Sequence, residues 1–343
     1  MNRADPEIAT PEIAALPATV PPKLAKGDLL RVIAPASSRA MVSEYDHSSL
    51  IESRFAELGL RLSYGRHVDE RDMFDSSSVT SRVADLHEAF ADPDVKGILT
   101  VIGGFSSNEL LSYLDWDLIA ANPKILCGYS DITALQNAIF ARTGLVTYSG
   151  PHWSSFGMRD HFELTQRWFV DALVDGYRME LVPSPQWTDD AWFLDQDNRS
   201  PLPGEGWWPL MQGSASGRII GGNLCTLNLL QGTPQMPPLA GSVLMLEDDD
   251  ATDAMTFARD LTSLLQQPDA KEIKGLVIGR FQTSSGVTRK HLQEITGQPA
   301  LVGLPVLANV DFGHTQPQMT LPIGGQAELI VTASGGKLRL RDR

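Results

Sequence analysis

Along the first 150 or so positions, short apolar runs alternate with stretches whose apolar residues recur at helical spacing. Leu29–Ala34 (LLRVIA) is β-rich and is broken by Pro35-Ala36-Ser37-Ser38, which predicts a buried strand feeding a loop. From Glu44 to Leu58, the residues Leu50, Ile51, Phe55 and Leu58 repeat as on one helix face, and Gly59 supplies the stop. Leu60–Tyr64 alternates and predicts a second strand. Ser78–Ala91 predicts a helix with Val83, Leu86 and Phe90 on one face, ended by Asp92-Pro93-Asp94. Gly97–Ile102 is a continuous apolar strand ending at Gly103-Gly104. Ile125–Tyr129 is another, running directly into Ser130, with a helix predicted over Asp131–Arg142. Strands that alternate with helices imply a mainly parallel sheet covered on both faces.

The middle of the chain loses this order. Pro183–Pro209 is rich in Pro, Asp and Trp and holds Trp187, Trp192, Trp207 and Trp208, with no sustained period. Long irregular segments in compact proteins are usually functional or linkers. Order resumes with strands predicted at Gly217–Gly222, Val243–Leu246, Leu276–Ile278 and Leu304–Val310. A helix is predicted over Asp253–Leu265, with Phe257, Leu261 and Leu264 on one stripe. The divisions expected are a loose leader over 1–26, a first domain over 27–165, a connecting segment over 166–207 and a second domain over 208–343. The fold class is α/β, a mainly parallel sheet with flanking helices followed by a smaller, β-rich α/β domain.

Composition narrows the class. The chain has 343 residues and a formal net charge of −14, from 28 basic and 42 acidic side chains. A general nucleic-acid binder needs a basic surface, so that class is set aside, although a local pocket for a small anion is not. Two cysteines, Cys127 and Cys225, give neither a disulfide framework nor a zinc motif, and no metal is expected. No apolar run approaches the roughly 18 residues that cross a bilayer. The N-terminus lacks the basic head and apolar core of a secretory signal, so the cytoplasm is the expected location.

Gly128-Tyr129-Ser130-Asp131-Ile132 is the most informative local pattern. A strand that ends at a serine where a helix begins lifts the hydroxyl above the sheet and turns helix N–H groups toward it. The same residues also suit an ordinary helix cap. Gly103-Gly104-Phe105 ends the preceding strand on the same edge, where its amides can approach a ligand or simply make a tight turn. A serine nucleophile needs a base and a group to orient it. Of the seven histidines, His314, in the loop Asp311–Pro317 after a β-like run, has the most suggestive setting, and His152, in Ser149–Trp153, is its rival. Glu247, at the end of Val243–Leu246, is the carboxylate best placed. Asp248–Asp250 read as a solvated acidic turn.

Taken together, Gly103–Asn108, Thr147–Pro151, Gly128–Thr133, Gly221–Leu224, Leu246–Asp248 and Gly313–Pro317 resemble the LD-carboxypeptidase family of serine peptidases, and within it the microcin C7 self-immunity branch. The resemblance runs from about Gly27 to Gly324. It implies Ser130 as nucleophile, His314 as general base and Glu247 as its orienting partner, with the Gly104 and Asp131 amides as oxyanion hole and the site in the cleft between two domains. It implies a cytoplasmic homodimer, no cofactor and no metal. The substrate is a small molecule, either an aminoacyl or peptidyl nucleotide or a murein L,D-tetrapeptide. Asn223 matches a substrate-contacting position. Pro185–Trp192 is similar to a loop that lays a tryptophan on the nucleobase, so Trp187 and Trp192 are the stacking candidates, or else anchors of that loop. Part of the branch has a lysine four residues after the glutamate, where this chain has Ala251 beside the acidic Asp248–Asp250 run. That departure leaves microcin C7 itself open as a substrate. A non-catalytic aminoacyl-nucleotide binding protein is the rival of another class.

Overall fold

The computed structural model describes residues 16–42, 47–177 and 181–342. A first sheet is built by β1 (Leu29–Ile33), β2 (Arg61–Tyr64), β3 (Val95–Thr100), β4 (Ile125–Gly128) and β5 (Thr147–Ser149). These five run parallel in the order β5-β4-β3-β1-β2. All four residues of β4 are buried, as a continuous apolar run in the middle of a two-sided sheet demands. A two-stranded ribbon, β6 (Gln186–Trp187) with β7 (Leu202–Pro203), is the regular part of the tryptophan-rich segment.

The second sheet contains β8 (Trp208–Met211), β9 (Gly213–Asn223), β10 (Ser242–Glu247), β11 (Gly275–Gly279) and β12 (Val306–Val310). The chain then sends β13 (Leu321–Ile323) back to the first sheet, antiparallel against β5. It returns as β14 (Gln326–Thr332) and β15 (Gly335–Arg341) to finish the second sheet. Strands β9 to β12 are mutually parallel, and the edges are antiparallel. The two halves therefore exchange a strand, a long-range pairing that no local pattern announces.

The helix Thr133–Thr143 joins the halves. Residues Thr133–Phe140 are all buried, as a helix packed on both faces requires. Leu135 and Ile139 share one apolar core with Ile220, Leu224 and Leu227 of the second half. Asn137 Nδ2 donates to Gly221 O at 2.8 Å, and Asn223 N donates to Thr133 Oγ1 at 2.9 Å.

Two expectations change at the N-terminus. The helix expected over 44–58 is Ser48–Glu57, and Glu44–Asp46 lie outside the described residues. Residues 16–26, expected in a loose leader, are packed. Thr19 bridges Leu145, Leu24 is buried, and Lys23 Nζ pairs with Asp342 at 2.6 Å. The reason is tertiary: this strip bridges the residues just before β5 and is tied to the residue that follows the chain's last strand. Residues 1–15 lie outside the described residues. Among the described residues, no helix is long and apolar enough to cross a membrane.

Candidate active site

Both sheets turn their C-terminal edges toward one place. Strand β4 ends at Gly128, Tyr129 stays extended, and Ser130 takes a left-handed φ of 59° before a single helical turn at Ser130–Ile132. For a non-glycine residue that conformation costs on the order of 1–3 kcal/mol and persists only where its surroundings hold it. They do so here. Ser107 N donates to Asp131 Oδ2 at 2.8 Å, and Ser107 Oγ donates to Asp131 O at 2.6 Å. The buried Arg82 binds the adjoining turn through Ser106 O at 2.8 Å and pairs with Glu109. Burial pushes the Asp131 carboxyl up, against its hydrogen bonds from Ser107 and the Arg82 charge.

The turn after β3 lies against this serine. A Cβ at Gly103 would sit 2.9 Å from Ser130 Cβ and 3.0 Å from its Oγ, so only glycine permits the approach. The Gly104 and Asp131 N–H groups donate no hydrogen bond within the described residues.

The second sheet brings the other two groups. His314 Nε2 is 3.0 Å from Ser130 Oγ, and His314 Nδ1 is 2.7 Å from Glu247 Oε2. Glu247 is the last residue of β10 and is buried. Gly313, at φ 100°, lets the His314 loop close over it. A Cβ there would lie 2.7 Å from Glu247 Oε2. Burial pulls the His314 imidazole down, but the Glu247 charge and hydrogen bond, with Asp249 and Asp248 behind them, raise it above its ordinary value. The structure thus joins Ser130, His314 and Glu247 in one chain of hydrogen bonds.

His152 lies elsewhere. Its Nδ1 is 2.7 Å from Thr100 Oγ1, and its ring stacks on Tyr129 at 4.3 Å between centroids. Burial and the nearby His314 push its imidazole down to about 3, so it stays neutral. Thr100 and Arg82 were not singled out from the sequence. They lie in an ordinary strand and helix and gain their places only through tertiary contacts.

One further expectation is corrected. Asp248 is not solvated. It is 1% exposed and accepts from Asn223 Nδ2 at 3.1 Å and Cys225 N at 3.3 Å, and burial plus Glu247 push it up to about 7. Asn223, expected to contact substrate, is 1% exposed. Its Oδ1 caps the helix Leu224–Asn228 and its Nδ2 holds Asp248, so the side chain is committed within the protein. The tryptophans divide. Trp207 is buried and donates to Asp311 Oδ2 at 2.8 Å, while Trp208 begins β8. Trp187 and Trp192 remain half-buried. Thr188, next to Trp187, forms a two-bond bridge with Gln316, two residues past His314, and the Arg280 guanidinium carbon lies 5.2 Å from the Trp187 ring.

Comparison with known proteins identifies the family. The LD-carboxypeptidase N-terminal domain matches residues 30–150 and its C-terminal domain residues 216–329. The candidate carboxypeptidase YocD of Bacillus subtilis is 47% identical over 310 residues, covering 90% of this chain and 94% of YocD. Two relatives share 32% identity with it. The microcin C7 self-immunity protein MccF of Escherichia coli is aligned over 78% of this chain and 80% of its own. A Bacillus subtilis protein named a probable murein peptide carboxypeptidase is aligned over 90% and 91%. The crystal structure of an MccF-like protein from Bacillus anthracis superposes with a TM-score of 0.93 at 48% identity, over 95% of this chain and all of that one. The chain belongs to the LD-carboxypeptidase family and is a hydrolase of the serine peptidase type.

Proposed function

We propose that Ser130, His314 and Glu247 form the catalytic triad of an amidase that releases the acyl group of an aminoacyl or peptidyl nucleotide. The hydrogen-bonded series Ser130 Oγ, His314 Nε2, His314 Nδ1, Glu247 Oε2 carries this reading. His314 accepts the Ser130 proton as Oγ attacks the amide carbonyl. Glu247 keeps the Nδ1 proton in place and stabilises the imidazolium. The Gly104 and Asp131 amides receive the oxyanion, each worth about 2.7–4 kcal/mol by analogy with a protease donor. His314 then gives its proton to the leaving nitrogen. Water, activated by the same imidazole, releases the acyl group.

One feature favours a nucleotide over a murein tetrapeptide. Trp187 is tied by Thr188 to the loop that carries His314, and an indole face there suits any base. Trp187 is the stacking residue in this reading, with Trp192 its rival in the same segment. The murein alternative keeps one observation in its favour: the two 32% relatives fall one on each side. The reading includes a homodimer, which light scattering checks.

The test is a paired assay of the purified protein, with one aminoacyl-adenylate phosphoramidate and one L,D-tetrapeptide. Ser130→Ala should lose a factor of roughly 10⁶ in kcat while folding normally. Loss of less than about tenfold, under 1.4 kcal/mol of barrier, rejects Ser130 as nucleophile. Tight binding of the nucleotide with no turnover by the unaltered protein would favour the non-catalytic binding protein instead.

A further inference from the structure

Arg82 is 3% exposed, and no step of the mechanism uses it. It lies near the start of the helix Val79–Ala91, which connects β2 to β3. Burying an ionised guanidinium is costly unless its donors are satisfied. Here each nitrogen has a partner. Nε donates to Ser77 O at 3.0 Å, and Nη1 to Pro35 O at 3.2 Å and to Ser106 O and Oγ at 2.8 and 3.0 Å. Nη2 pairs with the exposed Glu109. The buried side of this cation is therefore directed at the backbone of three loops.

Those loops enclose Gly104. A Cβ at Gly104 would lie 2.5 Å from Ser37 Oγ and 3.2 Å from Ala36 Cβ, so the loop after β1 is pressed against it. Ser37 N also donates to Gly103 O at 3.0 Å. Pro35, which Arg82 binds, stands just before Ala36 and Ser37. Ser106, which Arg82 also binds, closely follows Gly104. Ser76 Oγ completes the ring, donating to Ala36 O at 2.6 Å and lying 3.2 Å from Ser106 Oγ. Nη1 thus bridges the two loops between which Gly104 is held.

The pair Gly103-Gly104 has little conformational preference of its own, since glycine adopts either sign of φ with similar ease. The direction of the Gly104 N–H is therefore set by what grips the turn at its ends. One end is β3. The other is held by Arg82 at Ser106 and by the Asp131 carboxylate at Ser107. The Arg82 charge also acts on Asp131, drawing its carboxyl down against the effect of burial. We infer that Arg82 is the positioning residue of this turn: by clamping Pro35 and Ser106 it fixes where the Gly104 amide points, and so sets the rate of acyl transfer without touching substrate. The inference rests on Ser130 as nucleophile and Gly104 as oxyanion donor. A donor that meets only the oxyanion acts in the transition state and not in substrate binding, so Arg82 should register in kcat and not in KM.

The experiment compares Arg82→Met, Arg82→Lys and Lys124→Met with the parent. Lys124 is the structural control, a second buried cation directed at backbone, which donates to Ala89 O at 3.0 Å and to Asp92 O at the other end of the same helix. Both constants are measured on whichever of the aminoacyl-adenylate phosphoramidate and the L,D-tetrapeptide the parent hydrolyses. Phosphonylation of Ser130 by a fluorophosphonate gives a rate independent of that choice: Oγ bonds to phosphorus, fluoride leaves, and the serine proton passes to His314. Thermal melts report folding. Arg82→Met should lower kcat and the phosphonylation rate by about 10²-fold, as a misplacement near 1 Å does, with KM within about threefold. Lysine keeps the charge without the planar fork, so Arg82→Lys should still lose at least about tenfold. Lys124→Met should lower the melting temperature and leave kcat within about threefold. An unchanged kcat in Arg82→Met, a loss confined to KM, or full activity in Arg82→Lys overturns the clamp. So does an equal loss of kcat in Lys124→Met, or failure of both Arg82 variants to fold, since either makes the residue merely structural. A parent that neither hydrolyses a substrate nor takes up the label overturns Ser130 as nucleophile, and the role of Arg82 with it. An active parent matched by its Arg82 variants removes the role of Arg82 alone.

Discussion

His152 follows β5 and His314 follows β12, and both imidazoles end beside the Tyr129 ring, one stacked at 4.3 Å and the other edge-on at 5.2 Å. Their chemistry nevertheless diverges. His314 has a buried carboxylate on Nδ1 and a serine on Nε2, and its imidazole is raised. His152 has only the Thr100 hydroxyl, and burial keeps it neutral down to about pH 3. Burial acts in the same direction on both. The Glu247 partner reverses the outcome at one of them, so the base is defined by its charge environment rather than by its place at a strand end.

The comparison breaks most directly at His314. His314→Ala should cost roughly 10⁶ in kcat, as removal of the base does in a comparable triad. Stopped assays on purified protein would measure it, and a variant within about tenfold of the parent would return the role to another group.

Glu247→Gln should cost less, about 10⁴ in kcat, because the geometry survives while the tautomer is lost. The pH profile gives a second reading. His314 must be neutral to accept a proton, so kcat/KM falls on the acid side through its raised pKa, above about 6.5. Removing the Glu247 charge leaves burial in control and lowers that pKa. The acid limb should therefore move to lower pH. A limb that stays put would detach Glu247 from the base.

A smaller effect is expected outside the triad. Trp187→Ala should weaken turnover of a nucleotide substrate by about 5- to 150-fold, or 1–3 kcal/mol, and leave a tetrapeptide almost unchanged. Equal losses on both would make Trp187 a loop anchor, because a loosened loop misplaces every ligand.

Much of the site was readable from local pattern. The strand into Ser130, the Gly103-Gly104 turn and Glu247 at the end of an apolar run each declare themselves within a few residues. The setting of His314 favoured it over His152, but the contact that decides between them did not declare itself, because the carboxylate lies 67 positions from His314 in the chain. Asp248 misled for the same reason. Three consecutive aspartates look solvated until Asn223 and the start of its helix fold over the first of them. The return of β13 to the first sheet and the packing of residues 16–26 are likewise long-range contacts that no local pattern announces.

The smallest expected effect on activity sharpens the comparison from the other side. His152→Phe keeps a flat ring against Tyr129 but removes the shorter of the two hydrogen bonds of Thr100 Oγ1, leaving the one to Cys127 O at 3.4 Å. Loss of one buried hydrogen bond costs about 0.5–1.5 kcal/mol, so the melting temperature should fall. Catalysis should stay within about tenfold of the parent, since no proton passes through this ring. The acid limb of kcat/KM should also keep its position. His152 carries no charge in that range, so replacing it removes no charge from beside His314. Thr100→Val with His152 intact should lower stability in the same way and again leave the limb in place. The decisive measurement is the full pH profile of both variants beside the parent. If His152→Phe lost activity on the scale expected of His314→Ala, the two histidines would have to exchange roles, and the carboxylate beside His314 would need another purpose.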